Sequence, residues 1–162
     1  MAELTPVEWA MRPLKRYAQF SGRAPRAEYW WFYLATFIAD RVLNFVEKQA
    51  SAGDSLSGLF ALAVLVPWIA VTVRRLHDTG RTGWWLLIFI VPLAGFVGLA
   101  VQAGFAGSEV IEDNPVAFFG LVALTVIAGF TLFIFTVLQG TDGPNRYGAD
   151  PYGPDQLEEI FA

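Results

Sequence analysis

Apolar side chains occupy long uninterrupted runs of this chain, and a charge-free run of about 18 residues or more is long enough to cross a bilayer as a helix. Three runs meet that test: 55–73, between Asp54 and Arg74; 83–105, after Arg81 and before Glu109; and 116–138, between Asp113 and Asp142. A charged side chain in mid-membrane costs at least about 2.5 kcal/mol on insertion scales, so these boundaries carry physical weight. The stretch 56–73 alone rises about 27 Å as a helix, close to the hydrocarbon thickness.

A fourth candidate is less clean. The apolar stretch 29–39 is too short to cross and is followed at once by Asp40 and Arg41, after which Val42, Leu43, Phe45 and Val46 resume the pattern up to Glu47 and Lys48. Read as one helix over about 28–47, it crosses fully and places Asp40, Asn44 and Glu47 on a single stripe that must face protein or water. The alternative is a half-span that surfaces early. Asp40 and Arg41 point about 100° apart as helical neighbours, so each is expected to need another partner.

Ahead of the spans, 1–26 lacks the continuous apolar core of a secretion signal. It reads as an interfacial amphipathic helix instead. Thr5, Pro6 and Glu8 fit an N-cap, a first-turn proline and a capping-box partner, with Arg12, Lys15, Arg16 and Gln19 as a polar stripe opposite Trp9 and Tyr17. Pro13 removes one hydrogen bond, so a kink or a second short helix is expected there. Pro67 and Pro92 fall inside spans and free the carbonyls of Ala63 and Ile88. Ala94 with Gly98 and Ala100 with Gly104 offer small-residue packing faces.

Basic residues stay on the cytoplasmic side of an inserted helix, and they cluster in two places. Arg12, Lys15, Arg16, Arg23 and Arg26 precede the first span, and Arg74, Arg75 and Arg81 follow the second; the connections near Ser51 and at Glu109, Glu112 and Asp113 are acidic or neutral. The fold class expected is therefore all-α and integral to the membrane. Four transmembrane helices follow an N-terminal interfacial segment (1–26), fill a membrane domain (27–141) and lead into a polar tail (142–162), with both termini cytoplasmic.

Composition supports the membrane reading and narrows the chemistry. Of 162 residues, 55% are hydrophobic and 16% charged, where a soluble domain carries about 25% charged. A net charge of -4 disfavours nucleic acid, and the absence of Cys excludes a disulfide scaffold. His77 is the single histidine, so no usual zinc site and no clear Ser-His-Asp arrangement can be assembled. No catalytic residue, metal or cofactor is expected, and the chain is read as a non-enzyme.

The most distinctive stretch is Arg74-Arg75-Leu76-His77-Asp78-Thr79-Gly80-Arg81-Thr82-Gly83-Trp84-Trp85. One reading is topogenic, with arginines snorkelling to headgroups and tryptophans at the interface. The other is an anion site, because guanidinium forks suit phosphate and carboxylate. His77 beside Asp78 either satisfies a local hydrogen bond or senses pH.

Together with Phe20-Ser21-Gly22-Arg23-Ala24-Pro25-Arg26-Ala27-Glu28-Tyr29-Trp30, Pro92 with Gly95, and Asn145-Arg146-Tyr147-Gly148 followed by Asp150-Pro151, this stretch resembles the bacterial inner-membrane family known as domain of unknown function 805. The resemblance covers about 14–151 and implies a small multi-span protein of the bacterial cytoplasmic membrane with no assigned activity. It supplies no catalytic residues. The chain departs from the family pattern in that 102–139 adds an acidic loop and a further span before the Asn-Arg-Tyr-Gly segment.

With that extra crossing, all these segments fall on one face. Arg23, Arg26, Glu28, Arg74, Arg75, His77, Asp78, Arg81, Asn145, Arg146 and Asp150 are expected to form one cytoplasmic cluster. Its role is either structural, pairing helix ends through arginine and carboxylate, or the binding of an anionic lipid headgroup or a partner protein, including a second copy. The alternative function is a small transporter or channel-like protein that uses the polar site of Asp40, Arg41, Asn44 and Glu47.

Overall fold

A computed structural model describes residues 4–50, 55–102 and 115–153. Among these the chain is helical: α1 (Pro6–Lys15), α2 (Arg26–Ala50), α3 (Ser55–Asp78), a 3-10 turn (Gly83–Leu86), α4 (Leu87–Gln102) and α5 (Pro115–Val137). Three segments are long and apolar enough to cross a membrane: Ser55–Asp78, Gly83–Val101 and Pro115–Val137. The expected residues 103–105 of the third span, the acidic loop with Glu109, Glu112 and Asp113, Gly104, and the connection at 51–54 lie outside the described residues. Two compact units are defined, one from 1–81 with 139–162 and one from 82–138.

In the first unit α1 begins as the sequence indicates. Thr5 caps the helix, its hydroxyl accepting from the Glu8 N–H, while the Glu8 carboxylate accepts from the Thr5 N–H at 2.6 Å. The Thr5 main-chain and hydroxyl bonds hold the Glu8 carboxyl below its ordinary range. This end of α1 is thus fully capped above the usual carboxylate pKa and loses the cap as pH falls through the lowered value. The helix runs through Pro13, which is buried, without a second helix forming. The expected separation of faces is incomplete, because the Arg12 guanidinium lies 5.0 Å over the Trp9 ring. Trp9 and Arg12 are three residues apart and so share a side of the helix.

Helices α2 and α3 form an antiparallel pair along their whole length, with Glu28 against Arg74, Thr36 against Trp68 and Glu47 against Ser57. Tyr29, Phe32, Val71 and Ala24 make the buried apolar core, with Trp30 and Trp68 packed on it. The Trp68 ring sits 5.5–5.9 Å from Tyr29, Phe32 and Tyr33, and its Nε1 donates to Thr36 Oγ1 at 3.2 Å. A tryptophan at this depth needs such a partner, since lipid offers none.

Pro67 leaves the Ala63 carbonyl without its helical donor, and the structure supplies one from the N-terminal segment: the Tyr17 hydroxyl donates to Ala63 O at 2.6 Å. Tyr17 is therefore a strut onto α3.

In the second unit α4 and α5 are antiparallel, with Trp85 against Phe135, Phe89 against Gly129 and Phe96 against Phe118. The close approach is at Gly95, where an added Cβ would lie 3.0 Å from Leu121, whereas a Cβ at Gly98 would meet nothing. The expected Ala94 and Gly98 face is thus not the packing face seen; Gly95 lies on the side of α4 that meets α5. Thr125 and Thr131 return their hydroxyls to the carbonyls of Leu121 and Ile127, which satisfies them within an otherwise apolar helix.

Tyr17→Phe should lower thermal stability in detergent by about 1 kcal/mol, the net worth of one exposed hydrogen bond. In a Pro67→Ala background, where the backbone N–H at 67 can serve Ala63, the same change should cost much less. Equal losses in both backgrounds would mean that the two residues are not coupled.

Candidate functional site

The residues singled out in the sequence meet where the loop 18–25, the end of α3 and the segment 139–150 come together. Gly80 ends α3: the Arg81 N–H bonds to Leu76 O at 2.9 Å and the Gly80 N–H to His77 O at 3.0 Å, with Gly80 at φ 75°. This left-handed cap places Asp78 at the last position of the helix. Arg74, Arg75, His77 and Asp78 thus belong to the final helical turn rather than to a loop.

Asp78 is 2% exposed and holds both neighbours. Its Oδ1 accepts from Arg23 Nε at 2.9 Å and its Oδ2 from Arg75 Nη1. Its main-chain carbonyl accepts the Thr141 N–H at 2.9 Å. Arg23 spends its other two nitrogens on Gly143 O and Thr141 O, each at 2.6 Å. Gly140 allows this approach, because a Cβ there would fall 2.8 Å from Asp78 Cγ.

A second pair lies beside the first. Glu28, in the first turn of α2, accepts from Arg74 Nη1 at 2.5 Å, and its other oxygen faces Arg12 at 4.0 Å. Arg74 and Arg75 are both fully buried. The snorkelling expected of them is therefore not what they do: each turns inward to a carboxylate, which is the low-cost place for a charge in an apolar fold. The Ala24 N–H donates to Arg74 O at 3.0 Å, so the loop before α2 is tied to α3 as well.

The Asn145-Arg146-Tyr147-Gly148 segment docks onto this turn. Asn145 and Gly148 exchange main-chain bonds of 3.0 and 3.1 Å, and Asn145 Nδ2 donates to His77 O at 3.0 Å and to Thr141 Oγ1 at 2.8 Å. Tyr147 stacks flat on His77, centroids 3.9 Å apart at 2°, and Arg146 covers the Tyr147 ring while donating to Gly80 O at 3.2 Å. His77 Nδ1 lies 3.2 Å from Gly22 O, and since a carbonyl only accepts, that nitrogen carries the proton.

The remaining candidates divide. Arg26 and Asp150 line one cavity of about 390 Å³ with Arg23 and Asp78. The Asp150 carboxylate serves main-chain donors, the N–H groups of Gly143 and Tyr152, each at 2.9 Å. Arg81 donates to Thr79 O at 3.2 Å. A neighbouring cavity of about 270 Å³ is lined by Arg12, Arg16, Gln19, Arg23 and Glu28.

Asp40, Asn44 and Glu47 lie at one-stripe spacing on the continuous helix α2 but take different partners. Arg41 folds back on Asp40, through Nε at 3.0 Å and through Nη2, so the expectation that neighbours cannot satisfy each other is corrected: the arginine stem is long enough to span the 100° between them. Asn44 donates to Asp40 O at 2.8 Å. Glu47 instead caps α3, accepting from the N–H groups of Leu56 and Ser57.

Reasoning from the sequence missed Gly140, Thr141, and the reach of Tyr17. Thr141 acts mainly through main-chain atoms, with its hydroxyl joining Asn145 and Asp78 O, and Gly140 only through the absence of a side chain, so neither stands out by residue type.

Among the described residues the chain is helical, with three membrane-length apolar helices and an arginine–carboxylate site at the end of one of them, which defines its class. Within that class, the chain belongs to the family described as protein of unknown function, DUF805, which matches residues 17–149. The match takes in Arg23 through Arg146 but neither Arg12 nor Asp150. The inner membrane protein YhaH of Escherichia coli K12 is 38% identical over 117 residues, covering 67% of this chain and 97% of the relative. The inner membrane protein YhaI of the same strain is 34% identical over 146 residues, covering 90% and 96%. No solved structure matches.

Removing one partner of a buried ion pair strands the other charge. Asp78→Asn should therefore cost about 3–5 kcal/mol, read by thermal unfolding in detergent. Gly140→Ala should cost about 1–3 kcal/mol by crowding the same carboxylate. Arg146→Gln, at an exposed bond, should stay within about 1 kcal/mol of the parent.

Proposed function

We propose that this chain is a non-enzymatic multi-span protein of the bacterial inner membrane that binds an anionic lipid headgroup at its cytoplasmic face. In this reading α2 is the fourth crossing, both termini are cytoplasmic, and α1 lies in the interface. The names of YhaH and YhaI support the location. For α2, the support is its 25-residue length and its pairing with α3 from end to end. The exposed apolar residues Val7, Met11 and Leu14, at helical spacing on α1, support the interfacial placement.

The observation that carries the headgroup reading is the charge balance of the cavity beside Glu28. Three arginines, Arg12, Arg16 and Arg23, line it against one carboxylate. At this end of α2 and α3 the buried charges lean the same way, with Arg23, Arg74 and Arg75 set against Glu28 and Asp78, while the third buried carboxylate, Glu47, lies at the opposite end of α2. A phosphate at the membrane surface complements such an excess, and guanidinium forks suit its oxygens. The inner pairs hold the helix ends together, and Arg12 and Arg16 at the rim select the anion. The transporter alternative draws less support, because Arg41 neutralises Asp40 and Glu47 is spent on a helix cap.

Two measurements test this. Protein purified from phosphatidylglycerol- and cardiolipin-containing membranes should retain anionic lipid through detergent exchange, seen by native mass spectrometry. Arg12→Gln with Arg16→Gln should cut that retention about tenfold, and Arg16→Gln alone, which leaves the Glu28 partner in place, should lower it at unchanged melting temperature; unchanged retention, or ready loss of all lipid by the parent, overturns the reading. For topology, a single cysteine at Ser108 should react with an impermeant maleimide in intact cells, and one at Ala149 should not. Labelling at Ala149 would put the tail outside.

A further inference from the structure

Asp40 and Arg41 lie about 21 Å along α2 from Arg26, well inside a hydrocarbon layer about 30 Å thick. Their side chains are not enclosed: Arg41 is 63% exposed and Asp40 29%. Phe37, Ile38, Val42 and Phe45 around them are exposed as well. An ion pair set in a lipid-facing apolar surface is costly, and such pairs face protein or water when the fold is complete. Neither α4 nor α5 carries a charged residue, so neither helix has a counter-charge to offer.

The pair is also half used. Arg41 spends Nε and Nη2 on one oxygen of Asp40, and among the described residues the other oxygen receives Asn44 Nδ2 at 3.2 Å. Beside it a cleft of about 300 Å³ runs between α2 and α3, lined by Tyr33, Phe37, Phe60 and Trp68 with Asp40 at its rim.

We infer that this face binds a second copy of the chain, and that Asp40 of each copy pairs with Arg41 of the other. An adjacent acid and base is self-complementary, as a two-fold contact requires. Two copies inserted with the same topology are related by an axis along the membrane normal, so their α2 helices run parallel and equal residues lie at equal depth. Asp40 and Arg41 differ by one residue, about 1.5 Å of rise, so both cross-pairs form together. The four charges then alternate in sign around the axis. The inference rests on α2 crossing the membrane and is independent of the headgroup reading.

The test separates pairing across copies from pairing within one. Two differently tagged chains, one Asp40→Asn and the other Arg41→Gln, each lack the pair within themselves and with their own kind. Only the mixture restores one Asp40–Arg41 contact between chains. In lipid vesicles, energy transfer should show the parent self-associating, each variant alone about tenfold weaker, and the mixture, with one of the two contacts, about threefold tighter than either variant. A mixture no stronger than either variant, or a parent that is monomeric or binds only some other chain, overturns the inference. As a measurement that leaves the charges intact, Val42→Cys should cross-link between copies in the bilayer, and Leu59→Cys, exposed on α3, should not; the reverse overturns it too. A cysteine at Gln49 that is reached only from outside verifies that α2 crosses; one reached from the cytoplasm would place the failure in the span rather than in the pairing.

Discussion

A buried carboxylate at the last position of a helix organises the first unit. Asp78 takes one arginine from its own helix, a second from the loop before α2, and, through its main chain, the segment that follows α5. Burying a charge is tolerable only when its partners are fixed, and fixing them here requires three separated stretches of chain to meet. The Schellman turn at Gly80, the missing side chain at Gly140 and the carbonyls of Thr141 and Gly143 all follow from that requirement. Glu28 and Arg74 repeat the arrangement at the start of α2, so the two helices are registered by ion pairs at one end and by the Glu47 cap at the other. Between those ends the core is aromatic and apolar.

The membrane-length helices were legible because hydrocarbon enforces long runs without charge, and the runs ending at Arg74 and bounded by Pro115 show that constraint directly. The capping box at Thr5 and Glu8 was legible because it is local. Partner choice was not. Arg74, Arg75 and Asp78 sit in one short stretch, and nothing in the stretch says that Arg74 reaches Glu28 while Arg75 stays with Asp78; that is decided by the register of α2 on α3. The freed carbonyl at Ala63 was legible from Pro67, but its donor lies in the segment before α2, and only tertiary structure names Tyr17. Arg41 ran the other way, because a long flexible side chain reached a neighbour that helical geometry alone sets apart.

The second unit relies on different physics. Its helices carry no ion pair and few polar groups, and hydrophobic burial gives no preference between a lipid tail and a leucine. Shape then decides, through Gly95 beneath Leu121 and Gly129 beneath Phe89, with the threonine hydroxyls satisfied inside their own helices. One chain thus uses charge pairing to specify one helix pair and close packing to specify the other.

The order in which the ribosome delivers these parts gives the segment 139–150 a further meaning. Arg23 and Asp78 emerge before α4 and α5, whereas the carbonyls of Thr141 and Gly143 and the Thr141 N–H that complete their bonding emerge only after both helices. A nascent chain halted before Gln139 therefore holds a charged site with open hydrogen bonds beside the membrane. The second helix pair is therefore made before the first can complete its polar contacts, and until then water must serve the open donors and acceptors around Arg23 and Asp78.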